Sequence, residues 1–180
     1  MDILEKIIAD KRREVALKKS IIPVSQLENS VLFNSRTNSL SKLLQHSTSG
    51  IIAEHKRKSP SKSTINSSFT VEEVVKGYQN AGVCGISVLT DMKYFGGSLE
   101  DLLLARASVT IPLLRKEFII DEFQLLEAKA NGADVILLIA AVLTRQEIKH
   151  LSEFAQSLGL EVLLEVHNEK ELYKSIMPSL

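Results

Sequence analysis

Cysteine is nearly absent from this sequence: Cys84 stands alone among 180 residues. One thiol excludes an intrachain disulfide framework and fits a reducing compartment. Placed where a strand begins, Cys84 reads as an inert buried thiol. Net charge is also missing, because 22 Lys+Arg balance 22 Asp+Glu. That excludes a global electrostatic pull toward nucleic acid or an anionic membrane. No apolar run approaches the roughly 20 residues of a membrane span. The start carries Asp2 and Glu5 where a signal peptide would have an apolar core. These absences predict a cytoplasmic protein with neither a nucleic-acid nor a membrane partner.

Two kinds of site are missing as well. No strand is followed by a Gly-rich phosphate loop with an acidic ribose anchor, so a dinucleotide fold has little support. His46, His55, His150 and His167 are scattered, and no cluster has metal-ligand spacing. Neither a dinucleotide cofactor nor a metal is expected from these spacings, and the histidines default to solvent or structural roles.

What is present is a core and a rhythm. Hydrophobic residues make up 44% of the chain and charged ones 24%, which suits one globular domain. Residues 2–19 put Ile3, Ile7, Ile8 and Val15 at helical spacing among mixed charges, predicting an amphipathic packing or lid helix. Ile22 to Leu27 predicts a second short helical piece. Residues 34–50 are a Ser-, Thr- and Asn-rich connector with one helical turn at Leu40, Leu43 and Leu44. Five strand–helix units follow. The strands are predicted from Ile51, at GISVLTD, and over 110–116, 134–139 and 160–166. Thr70, Ser98, Asp121, Thr144 and Asn168 are the expected helix caps, and Gly82, Gly132 and Gly159 the helix stops. MKYFGG (92–97) is expected to be a loop. Apolar strands alternating with helices imply a parallel sheet covered on both faces. The predicted organisation is a helical extension over 1–49 and an α/β unit over 50–180.

The chemistry is concentrated where strands end. Ile51-Ile52-Ala53 opens a buried strand, and Glu54 and Lys56 then share a face with Ile52. Ser59-Pro60-Ser61 turns the chain into a basic loop. Lys116 ends the third strand on the face of Leu114, and Glu165 ends the fifth on the face of Leu163. If the sheet curls into a barrel, these four converge on one rim. Burial and pairing there would move pKa values toward neutrality, as general acid–base catalysis requires. A Schiff-base lysine is an alternative use of the same position.

IIAEHKRKSPSK, ISVLTDMKYFGGSLEDL, LLRKEFIID, EAKANGADVILLI and LEVLLEVHNEKEL, in this order, closely resemble the indole-3-glycerol phosphate synthase family. The resemblance implies a (β/α)8 TIM barrel with a helical N-terminal extension, of which this chain holds the first five β/α units. It implies ring closure with decarboxylation and dehydration of 1-(2-carboxyphenylamino)-1-deoxyribulose 5-phosphate, in tryptophan biosynthesis, with no cofactor or metal. By resemblance, Lys116 matches the general acid that protonates the substrate ketone. Lys56 matches the lysine binding the anthranilate carboxylate. Glu54 and Glu165 match carboxylates used in orientation and dehydration. Ser59, Phe95, Phe118 and Leu137 match residues lining the aromatic substrate's pocket, and the SPSK loop (59–62) matches a mobile cover. His55 and Ser63 replace the family's usual aliphatic residue and glycine, and Glu117 its aspartate. A TIM barrel typically needs about 250 residues. The family's GINNR-type, SESGI-type and Gly-rich phosphate-binding segments have no counterpart here. The chain is therefore expected to be C-terminally truncated. An open five-stranded sheet is expected to expose two long edges and an apolar inner face, and so to associate and lack activity unless completed.

Overall fold

A computed structural model describes residues 2–65, 68–178 and 180. Three helices come first: α1 (Ile3–Ile21), α2 (Val24–Glu28) and α3 (Leu40–His46). Strands β1 (Ile52–His55), β2 (Gly85–Leu89), β3 (Leu113–Lys116), β4 (Val135–Ile139) and β5 (Glu161–Glu165) then alternate with helices. Helix α4 (Val71–Asn80) follows β1, α5 (Met92–Phe95) and α6 (Leu99–Ser108) follow β2, and α7 (Glu122–Ala130) follows β3. Helices α8 (Arg145–Ser157) and α9 (Glu169–Ser175) follow β4 and β5.

Capping chemistry sets the helix starts. Thr70 and Glu73, Asp121 and Gln124, and Thr144 and Glu147 form reciprocal capping boxes at α4, α7 and α8. Ser98 and Asn168 cap α6 and α9 through their side chains. The expected loop at 92–97 contains a helical turn instead. Asp91 accepts the Tyr94 amide at 2.6 Å to start α5, and Gly96 stops it at φ +69°. Gly97 has a different requirement: a Cβ there would lie 1.9 Å from the Leu89 carbonyl oxygen. The third strand is shorter than expected and begins at Leu113, after Pro112.

The five strands pair in parallel in consecutive order, β1-β2-β3-β4-β5. The register puts Glu54 beside Ser87, Ser87 beside Leu114, and Leu89 beside Lys116. Ile86, Val88, Leu113, Ile136 and Leu138 face the layer formed by α4, α6, α7 and α8 and make the main core. Leu114, Val135, Leu137 and Ile139 face the other way and cluster with Cys84 and with Leu40 of α3. Leu40 fits against Gly85, where a Cβ would come within 2.6 Å of its Cδ1. Glu161, on that face of β5, accepts the Ser39 hydroxyl at 2.5 Å and the Ser41 amide at 3.0 Å, which ties α3 to the sheet. Cys84 is buried, as expected for an inert thiol.

Helix α1 packs Val15 against Leu27, Phe123, Leu126 and Ala130. Its polar side is anchored by charge. Lys11 is 2% exposed and reaches Glu14 at 2.7 Å, Asp91 at 2.9 Å and Glu117 at 3.1 Å. Lys18 reaches Glu127 at 3.2 Å, and Glu127 accepts from the fully buried Arg115 at 3.0 Å. The outer face of β3 therefore holds a buried ionic network where sequence alternation recorded only that Arg115 points away from Leu114.

The exposure expected for an open sheet is smaller than anticipated. Among the described residues β1 and β5 each pair on one side only, but they are four and five residues long. Leu114 and Leu137 on the inner face are each 3% exposed. Exposed apolar surface at the open sides is carried by Ile51, Leu163 and Val166.

Candidate active site

Glu54 lies near the end of β1 on the inner face, and Lys116 two strands away at the end of β3. Lys116 donates to Glu54 Oε2 at 2.9 Å, and Lys56, one residue past β1, donates to Oε1 at 2.8 Å. One carboxylate thus bridges two ammonium groups. Burial pushes the Glu54 carboxyl up, but the hydrogen bonds from Lys56 and Lys116 outweigh burial and hold it below the usual carboxylate value. For Glu54 this corrects the expected drift toward neutrality: where burial is partial and two cations are in contact, pairing wins.

Glu165 ends β5 facing the same space. With Lys116 it lines two neighbouring cavities. The first, about 410 Å³, is lined also by Glu54, Ser87, Leu114 and Leu163. The second, about 220 Å³, is lined also by Phe95, Phe118, Leu137, Asp91 and Glu117. The rings of Phe95 and Phe118 lie 6.0 Å apart at 38°. Three of the four expected aromatic-pocket residues are therefore assembled beside Lys116. Ser59 is not among the residues lining either cavity. It sits in the loop after β1, exchanging backbone hydrogen bonds with Lys62 at 2.8 and 3.1 Å.

The base of that loop is clamped. Arg57 pairs with Asp101 of α6, donating through Nη2 at 2.9 Å. The Lys58 amide donates to the Phe95 carbonyl at 3.2 Å, and its ammonium to the Lys93 carbonyl at 3.0 Å. The loop after β1 and the turn after β2 thus form one body beside the cavities.

Three features were not identified from sequence. Ser87 is buried on the inner face, and its hydroxyl makes no hydrogen bond among the described residues. Its only signal was being the one polar residue in GISVL. His167 reaches Glu165 at 3.3 Å and Glu171 at 3.5 Å, which an inventory of isolated histidines could not show. Glu117 bonds the Thr90 hydroxyl at 2.9 Å and the Phe118 amide at 2.9 Å while also meeting Lys11, so it fixes the backbone next to Lys116. His55 faces away from the cavities, buried, and burial lowers its pKa, in keeping with a structural role. No group of acids, histidines and cysteines able to hold a metal ion occurs among the described residues. No helix among them is long and apolar enough to cross a membrane.

Parallel strands in consecutive order define an α/β protein of the TIM-barrel type, and its candidate site is the acid and lysine cluster at the strands' carboxyl ends. Residues 4–178 match the family model described as indole-3-glycerol phosphate synthase, and the chain belongs to that family. It is 50% identical over 171 residues to an indole-3-glycerol phosphate synthase of Bacteroides thetaiotaomicron, covering 95% of this chain and 66% of that protein. It is 42% identical over 177 residues to one of Neisseria meningitidis serogroup B, covering 96% and 68%. The chain thus spans about two thirds of the length of these relatives. Among solved structures, a mandelate oxidase mutant with benzaldehyde overlaps 52% of this chain and 37% of its own, at TM-score 0.41 and 18% identity.

Proposed function

We propose that this chain carries the acid–lysine part of an indole-3-glycerol phosphate synthase site, acting in the cytoplasm on a small phosphorylated substrate. The observation that supports this most is the contact of Lys116 with Glu54 at 2.9 Å, beside the cavity lined by Phe95, Phe118 and Leu137. In this reading the anthranilate ring of 1-(2-carboxyphenylamino)-1-deoxyribulose 5-phosphate enters that cavity. Lys56 exchanges part of its bond to Glu54 for the substrate carboxylate. Lys116 donates a proton to the ketone oxygen as the ring carbon bearing the carboxylate attacks the ketone carbon. The new carbon–carbon bond forms, carbon dioxide leaves from the same ring carbon, and its bonding electrons restore the aromatic ring. The hydroxyl made from the ketone then takes a proton from an acid at the site and departs as water, while the neighbouring nitrogen-bound CH2 gives a proton to a base and its C–H electrons form the new ring double bond. Glu54 and Glu165 orient the substrate and serve this dehydration. Ser59 and the SPSK loop act as a cover, and residues 1–49 as a packing extension of the 50–180 unit. No cofactor or metal takes part in this reading.

A second reading has its own support. Among the described residues β1 and β5 each pair on one side only, which leaves the inner face open at Leu163, so in this reading the 180-residue chain alone binds without turning over. The test is to purify the chain and follow indole-3-glycerol phosphate formation by fluorescence, with substrate binding measured in parallel. Turnover abolished by Lys116→Met supports the first reading. Saturable binding without turnover supports the second. Neither binding nor turnover in a folded chain would sink both.

A further inference from the structure

A second cavity lies at the opposite end of the sheet, before β3 and β4. It has a volume of about 420 Å³ and is lined by Arg36, Thr37, Asn38, Arg106, Lys129, Gly132 and Asp134, with Leu32, Ser35, Val109, Thr110 and Ala133. Three cations thus face one carboxylate, and that carboxylate is already committed. Asp134 accepts from Arg106 at 2.8 Å, from the Leu113 amide at 2.8 Å and from the Asn38 amide at 2.7 Å. Arg106 spends its remaining contacts on the carbonyls of Val109 and Ile111.

Lys129 is different. It is 7% exposed, yet it forms no ion pair among the described residues, and its ammonium donates only to the Ser35 carbonyl at 2.9 Å. An ammonium has three N–H donors, so two remain unspent. A buried charge left without a counter-ion is costly. Burial accordingly lowers the Lys129 pKa, with Asp134 opposing only in part. Arg36, exposed at the mouth, forms no hydrogen bond or ion pair among the described residues. The cavity therefore has an excess of cationic donors over free acceptors. Gly132 contributes to its shape, because a Cβ there would lie 2.6 Å from the Arg106 Cγ.

We propose that this cavity is an anion site, in which Lys129 and Arg36 bind a phosphate group, either free or on a small phosphorylated metabolite. It is separate from the rim at the strands' carboxyl ends, and it stands whether or not the catalytic reading holds. A phosphate oxygen accepts the two unspent Lys129 donors and neutralises its charge, while Arg36 closes the mouth through its planar fork.

The test is a ¹⁵N–¹H NMR titration of the full chain with inorganic phosphate, and separately with glycerol 3-phosphate, against sodium chloride at matched ionic strength. The expected result is saturable shifts at the amides of Thr37, Asn38, Gly132 and Ala133. Each of Lys129→Met and Arg36→Ala should weaken binding by about tenfold or more, the range expected for charge-assisted bonds. Arg36 is exposed, so its variant decides the matter even if Lys129→Met fails to fold. Shifts that do not saturate, that chloride reproduces, or that persist unweakened in Arg36→Ala overturn the proposal.

Discussion

Replacing Lys11 by methionine should cost this fold about 3 kcal/mol, near the low end of the range for breaking a buried ion pair. The Lys11 ammonium touches Asp91 and Glu117, whose side chains are 3% and 2% exposed. Methionine fills much the same space but removes the cation shared by two buried carboxylates, leaving Glu117 only the longer contact to Arg115 at 3.8 Å. The cost falls at the low end because each carboxylate keeps other donors. Asp91 retains the Tyr94 amide, and Glu117 retains the Thr90 hydroxyl and the Phe118 amide. Glu14, the third partner, is 42% exposed and keeps Lys18 at 3.0 Å. Urea unfolding is the assay: with a slope of about 1–3 kcal/mol per molar, the midpoint should fall by about 1–3 M. Burial opposes the charge on Lys11, but Glu117, Glu14 and Asp91 override it and raise its pKa above the usual lysine value. A raised pKa contributes stability fully below the unfolded value of about 10.4, and loses it only as pH rises through the higher folded value. The Lys11→Met penalty should therefore be the same at about pH 6 and about pH 9. Adding Glu117→Gln should recover part of the loss, since it neutralises one stranded charge. Lys149→Met, which removes an exposed pair with Glu153, is the control and should cost less than about 1 kcal/mol. A Lys11→Met penalty no larger than that control would refute the reasoning.

Gly97→Ala should destabilise by at least about 2 kcal/mol by calorimetry, because its Cβ would collide with the Leu89 carbonyl rather than with a movable side chain. Thr144→Ala should cost about 1 kcal/mol in the same assay, through loss of the α8 capping box. The Glu54 carboxyl should titrate below the ordinary glutamate value of about 4.3 by ¹³C NMR, so its pairing contributes above that value and is lost as pH falls through the folded one. Lys116→Met and Lys56→Met should each move that titration upward, and an unmoved midpoint would show that the two contacts do not hold the carboxylate.

The sequence by itself determined the order of elements and the faces of the strands. Alternation put Glu54, Lys116 and Glu165 on one side because a strand's side chains alternate, and cap residues such as Thr70, Asp121 and Thr144 marked helix starts through local hydrogen bonds. Those are short-range effects, legible residue by residue. The motif resemblance added a substrate, which alternation could not supply. Only the tertiary structure decided which charges meet. It brought Lys116 to Glu54 across 62 positions and Lys11 to Glu117 from a helix outside the sheet. It also placed Lys129 beside a cavity whose one acid, Asp134, is already bonded to Arg106. The balance between burial and pairing that sets the Glu54 pKa depends on distances between strands and on access to water, and neither is written in the local order of residues.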